Sequence, residues 1–297
     1  MLRANPSLAG RRVLITGAAR GIGAALAQRL HERGARVALV GLEPELLEQV
    51  AKSCGNAPWR EADVANQSQL DVAVAEVVAE LGGLDVVVAN AGIATQFPLL
   101  EGDPAILEQM LRVNVMGSYL TLRAAGPHIR ESGGYALVVA SLAAAVQLPL
   151  LGAYSASKAA TEAIGNTLRS EIRQSGARVG VAYFAELDTE MTSRGFSTEA
   201  AAALGQSGSV TGVTPLKVAI DALERGIARR SRRIVAPGWV AAILPIRMVV
   251  QPVMDRLIQR NVRNALAIAA TEDAPFTTPQ PGDALVVVPP APAGVGS

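Results

Sequence analysis

A chain of 297 residues, half of them hydrophobic and 18% charged, is long enough to bury a large core. Its formal net charge of +1 removes any global electrostatic reason to expect nucleic acid or an anionic surface as partner. The single cysteine, Cys54, excludes an intrachain disulfide, and two widely separated histidines, His31 and His128, form no zinc-like cluster, so no metal site is expected.

The opening MLRANPSLAGRRVLITG runs almost directly into a strand and leaves no room for a signal peptide, so a cytoplasmic protein is expected. Strand-like runs follow at residues 12–16, 36–40, 84–89, 136–140, 179–184 and 233–236, with a weaker one before Ala62–Val64. Several are apolar throughout, as parallel strands covered on both faces require. Helical patterns lie between them at 22–33, 67–81, 105–130, 154–174 and 215–229. Gly34, Gly82, Gly133 and Gly176 fall just past four of these, where a C-terminal cap is wanted. This alternation predicts an α/β fold: a single domain with a doubly wound, Rossmann-type parallel sheet and helices on both faces. Right-handed crossovers then put a ligand at the carboxyl ends of the strands.

The domain is expected to span residues 1–271 including a C-terminal capping helix, with 272–297 an unstructured Pro/Gly-rich tail. Within it, residues 229–253 join a basic cluster to an apolar run broken by three prolines and Arg247, which argues against a spanning helix. A final strand and a helix capping the substrate pocket are expected there; shallow membrane attachment or a partner surface are the alternatives.

Two motifs carry chemistry. TGAARGIG (residues 16–23) ends the first strand and opens the first helix, and glycines at 17, 21 and 23 allow a sharp turn and close approach of a pyrophosphate to the helix N-terminus. YSASK (residues 154–158) sets Tyr154 and Lys158 one helical turn apart on one face. A lysine ammonium so placed favours the phenolate and is expected to lower the tyrosine pKa toward neutrality.

Together with ADV (62–64), ANAG (89–92), VNVMGS (113–118), Ser141 and LDTEM (187–191), these motifs resemble the short-chain dehydrogenase/reductase family from about Leu8 to Gly238. The resemblance implies an NAD(P)-dependent enzyme that interconverts a CH–OH group and a ketone by hydride transfer. It implies that Gly17, Arg20, Gly21, Ile22 and Gly23 hold the dinucleotide, with Asp63 and Val64 at the adenine. Asn90, Ala91 and Gly92 would lie under the adenosine ribose, and Thr189, supported by the Leu187 backbone, would bond the nicotinamide carboxamide or the pyrophosphate. Tyr154 would be the general acid/base and Lys158 would also bind ribose hydroxyls. Ser141 would bond the substrate oxygen, and Asn114 would hold a water relaying protons to Lys158. Homo-oligomerisation through the helices of Asn114 and Tyr154 is implied likewise.

Departures from the family pattern are Ala89 in place of a second asparagine and Phe184-Ala185 in place of Pro-Gly. The end of the second strand, VGLEPE (40–45), has neither the acid that NAD-preferring relatives place near Gly41 nor the arginine that NADP-preferring ones place near Leu42. Gly41 removes a charge that would repel a 2′-phosphate and Arg20 is available to pair with one, which favours NADP; Glu43, two residues on, is the counter-argument. The apolar stretch LAAAVQLPLLGA (142–153) and the segment after Thr189 with Met191 and Phe196 point to a hydrophobic alcohol or ketone as substrate. A dinucleotide-binding sensor or scaffold without turnover is the competing reading.

Overall fold

The computed structural model describes residues 7–195, 198–205, 212–272 and 276–277. In chain order the elements are β1 (Arg12–Thr16), α1 (Gly21–Glu32), β2 (Arg36–Gly41), α2 (Pro44–Ser53), β3 (Trp59–Glu61), α3 (Gln67–Leu81) and β4 (Val86–Ala89). Then come α4 (Pro104–Leu111), a π-helical turn (Arg112–Met116), α5 (Gly117–Glu131), β5 (Tyr135–Val139), a 3-10 turn (Leu142–Ala144), α6 (Gly152–Glu171) and β6 (Arg178–Phe184). The last part holds α7 (Glu190–Gly195), α8 (Glu199–Leu204), α9 (Leu216–Ala228), β7 (Arg233–Ala236), α10 (Val240–Ile243) and α11 (Arg247–Ala269).

All strand pairs are parallel, in the order β3-β2-β1-β4-β5-β6-β7. The order reverses between β1 and β4, and the crevice at their carboxyl ends is where a doubly wound sheet binds its ligand. Side chains alternate across the sheet: Val13 and Ile15 join the core under α1 and α9, whereas Leu14 joins the one under α3, α5 and α6. Each such fully buried aliphatic side chain contributes about 1.5–3 kcal/mol, which is why β1 tolerates almost no polar residue.

The expected strands are all present, the weak one as β3. The expected helix at 105–130 is continuous in direction but wound as α4, a π turn and α5. The wider turn admits one extra residue and swings Asn114 inward, a distortion that hydrophobic periodicity does not reveal. Helix α2, starting with Pro44 at its first turn, is an element beyond those read from the sequence.

At the C-terminus α11 packs on α8 through Leu150, Ala200, Leu204 and Ala265, a small cluster separate from the main cores. Gln251 ties it to the loop after β5, its side chain accepting from Gln147 N at 2.8 Å and donating to Gln147 O at 3.0 Å. Past residue 271, Glu272 accepts the first free N–H groups of α8, from Glu199 at 2.7 Å and Ala200 at 3.0 Å. Thr277 exchanges a backbone and a side-chain hydrogen bond with Ala94, at 2.9 and 3.0 Å. Phe276 packs partly buried against the core under α3, α5 and α6, while residues 273–275 and 278–297 of the expected tail lie outside the described residues, as does Phe196. Among the described residues, no helix is long and apolar enough to cross a membrane.

Candidate active site

A cavity of about 380 Å³ runs along the carboxyl ends of the strands, from the turn after β1 to α10 and α11. At its first end Gly17 adopts φ +62°, and a Cβ there would stand 2.7 Å from the Ala91 Cα. A Cβ on Gly23 would strike the Gly17 carbonyl oxygen and lie 2.9 Å from Asn90 Nδ2. Only glycine lets this turn nest against the end of β4. Helix α1 starts at Gly21 with no acid in its first turn, and Gly21 and Ile22 line the cavity, so free N–H groups and the positive dipole end open onto it.

Asn90 holds the turn from below, its Nδ2 donating to the carbonyls of Thr16 and Gly17, both at 3.1 Å. Ala91 and Gly92 continue that wall. Asp63 and Val64 line the cavity beyond β3. Asp63 accepts from Arg112 at 2.8 Å through one oxygen and from Ala65 N at 2.9 Å through the other. Arg112, which opens the π turn, carried no signal in the sequence.

Arg20 lines the cavity beside the glycine turn, but its guanidinium is already engaged. Its guanidinium is bidentate on Glu43, with Nε to Oε2 at 3.0 Å, and also pairs with Glu190 at the start of α7 at 2.6 Å. Two carboxylates therefore share one cation beside Gly41 and Leu42. The free arginine on which the NADP argument relied is not present, because Glu43 and Glu190, distant in sequence, fold onto it.

At the other end Ser141, Tyr154 and Lys158 line the cavity, with Asn114 buried behind them. Tyr154 and Lys158 occupy the first turns of α6, both buried, and the Lys158 Nζ lies 5.7 Å from the centre of the tyrosine ring. Ser141, two residues past β5, caps the following 3-10 turn by accepting from Ala143 N at 3.1 Å and is hydrogen-bonded to the Tyr154 phenol. Asn114 accepts from Ile93 N at 2.7 Å and donates to Ile93 O and to Ser157 Oγ, both at 2.9 Å. A Cβ on Gly92 would stand 3.1 Å from Asn114 Oδ1 and 3.3 Å from Lys158 Nζ, so these two groups approach each other over that glycine.

Burial pushes the Tyr154 phenol up to about 12, against the opposing hydrogen bond from Ser141. It pushes the Lys158 ammonium down to about 8. The expected lowering of Tyr154 by Lys158 is absent from this structure: the amine donates to Val139 O at 3.0 Å, and desolvation dominates both groups. Ser157, buried within YSASK, fixes Asn114 while donating to Tyr154 O at 2.7 Å. Its position three residues after Tyr154, and so on the same helix face, was the available clue.

Thr189 and Leu187 also line the cavity, where Thr192 donates to Leu187 O and bonds Thr189 Oγ1 at 3.3 Å, closing the first turn of α7. The wall beyond Tyr154 is mostly apolar: Leu142, Val146, Leu148 and Leu151 after β5, Met191 and Leu204 from α7 and α8, and Val250 and Met254 from α11. Gln96 is the polar exception, a buried amide that accepts from Thr198 Oγ1 at 2.6 Å. Among the described residues no three or more His, Cys, Asp or Glu side chains cluster as metal ligands.

The family model described as short chain dehydrogenase matches residues 11–200. Over 259 residues the chain is 30% identical to an 11-beta-hydroxysteroid dehydrogenase-like 2 of Arabidopsis thaliana, covering 85% of this chain and 82% of that one. It is 37% identical over 177 residues to a D-threitol dehydrogenase of Mycolicibacterium smegmatis, 58% of this chain and 68% of that one. A solved short chain dehydrogenase from Mycobacterium paratuberculosis, bound to NAD, superposes with a TM-score of 0.67 at 25% identity, over 77% of this chain and 97% of that chain.

Proposed function

Because the chain belongs to the short chain dehydrogenase family, and so is an oxidoreductase acting on CH–OH groups, we propose that it interconverts a hydrophobic secondary alcohol and its ketone with Tyr154 as general acid/base. The observation that carries this reading is the meeting of Tyr154, Ser141 and Lys158 at one end of a cavity whose other end is a glycine turn, with Asn114 buried behind Gly92 next to them.

The cofactor is a nicotinamide dinucleotide, and the residues present fit it. The turn at Gly17–Gly23 exposes helix N–H groups suited to a pyrophosphate, and Asp63, Val64, Asn90, Ala91 and Gly92 form a slot leading toward Lys158. When bound, the nicotinamide supplies or accepts the hydride at the carbinol carbon. As the phenol is protonated at neutral pH, Tyr154 would hand its proton to a carbonyl oxygen held by the Ser141 hydroxyl, which suits ketone reduction. Lys158, with its pKa near 8, keeps most of its positive charge at pH 7 and would stabilise the phenolate left behind. Asn114 would anchor the proton path to Lys158 from its fixed position over Gly92. In the alcohol-oxidising direction the same groups run in reverse, with Tyr154 first losing its proton.

For the cofactor's 2′ position we favour NAD. A 2′-phosphate near Gly41 would face Glu43 and an Arg20 already shared by two carboxylates, a locally anionic setting. The apolar far wall supports a substrate of the kind named for the hydroxysteroid relative over a polyol. Exposed Met116 and Tyr119, beside Asn114, support homo-oligomerisation through that helix.

The test is Tyr154→Phe, assayed against a panel of apolar alcohols and ketones with both cofactors. Turnover should fall at least ~100-fold, the lower end expected for losing a general acid/base, while cofactor binding by fluorescence titration is retained. A sensor or scaffold would show no turnover in the parent protein and an unchanged response in the variant.

A further inference from the structure

Helix α11 has an inner face, where Val250 and Met254 line the cavity and Ile258 and Ala265 are buried. Its outward side is different. Val249, Val253 and Leu257, with Ile246 in the turn before, recur at i, i+3, i+7 and i+11 and fall within about 80° of one another around the helix. They are exposed rather than packed: Val249 is 66% accessible and Leu257 68%, and the neighbouring Met248 reaches 84%. Trp239, at the start of α10, is also substantially exposed. So large a set of contiguous apolar side chains on one helix marks a contact surface.

The charges beside the stripe say what would cover it. From Trp239 to Thr271 the chain has four arginines and one aspartate. Arg247 is spent on Glu162 at 3.0 Å, but Arg256, Arg260 and Arg263 are exposed and project on the same outward side as the stripe. Asp255 lies on another flank and is held by Gln251 at 2.8 Å. Apolar residues bordered by unopposed arginines suit the headgroup boundary of an anionic bilayer, where the stripe enters the acyl region and the arginines meet lipid phosphates. A second copy suits this face less well. Antiparallel two-fold pairing would set the arginine half of one helix on the apolar half of the other.

We infer that the outward face of α11, formed by Ile246, Val249, Val253 and Leu257 with Arg256, Arg260 and Arg263, docks the protein on membrane surfaces rich in anionic lipid. The arginines concerned follow the apolar run rather than precede it; the basic cluster before β7 belongs to the opposite end of that strand.

Flotation of the full chain with phosphatidylcholine vesicles, with and without about 30 mol% phosphatidylglycerol, tests this. At low salt the anionic vesicles should carry at least tenfold more protein than the neutral ones. Val249→Asp with Leu257→Asp should abolish that binding with an unchanged melting temperature. A separate Arg256→Gln, Arg260→Gln, Arg263→Gln variant, which adds no charge to the apolar stripe, should remove the preference for anionic lipid. The proposal is overturned if the parent protein stays off both vesicles, or if both variants float as it does. It is also overturned if the parent sediments as an oligomer that the aspartate variant splits without any vesicle binding, since the face would then belong to a second copy.

Discussion

Replacing Lys158 by methionine should stabilise the protein while destroying its activity. Lys158 is 5% exposed and the pKa of its ammonium is lowered from 10.5 to about 8 by desolvation alone. At 1.36 kcal/mol per unit, that shift corresponds to a folding penalty of about 3 kcal/mol for keeping the charged amine buried. Methionine keeps the apolar stem and gives up the hydrogen bond to Val139 O, worth about 1 kcal/mol net. The variant should therefore gain about 2 kcal/mol at pH 7. The pH dependence has a fixed sign. Below pH 8 the lysine is protonated in both folded and unfolded states, and the parent bears the full penalty. Between about 8 and 10.5 the unfolded chain holds the proton that the folded one has lost, so the parent's relative stability rises and the gap closes. Urea unfolding of both proteins at pH 7, 8, 9 and 10 would measure this, since other titrating groups cancel in the difference. A methionine variant less stable than the parent at pH 7, or a gap independent of pH, would refute the argument that Lys158 is held under strain by its site.

Other outcomes follow from the same geometry. Alcohol oxidation should rise with pH from 7 toward 9 or above, because the phenol raised to about 12 must lose its proton first, while ketone reduction should not rise over that range; steady-state kcat/KM in both directions checks this. Glu43→Gln removes one of the two carboxylates on Arg20 and should improve the NADP-to-NAD ratio of kcat/KM at least several-fold; an unchanged ratio would count against the anionic ribose site. Gly180→Ala should destabilise by about 1–3 kcal/mol in thermal or urea unfolding, because the new methyl would collide with the Tyr135 hydroxyl and the Ser231 carbonyl inside the sheet. Glu272→Ala frees the first N–H groups of α8 and should raise KM for apolar substrates more than it lowers kcat, since α8 carries Leu204 into the cavity wall.

The alternation of apolar runs and helical periods determined the parallel sheet and its two helical layers, because those signals are local: each strand and cap is written in adjacent residues. The glycine turn and the Tyr154–Lys158 spacing were legible for the same reason, since the geometry of one turn is fixed by residues within it. Distance in sequence hid the rest. Arg20 meets Glu190 across 170 positions, and that pairing, invisible to any motif, changes what the ribose end can accept. The pKa values at Tyr154 and Lys158 depend on how completely neighbouring elements exclude water, so spacing alone gave the wrong direction for the tyrosine. The π turn that aims Asn114 and the two faces of α11 were likewise decided by packing. A sequence specifies which segments form, but the field at a buried atom and the exposure of a helix face exist only once distant segments have closed around them.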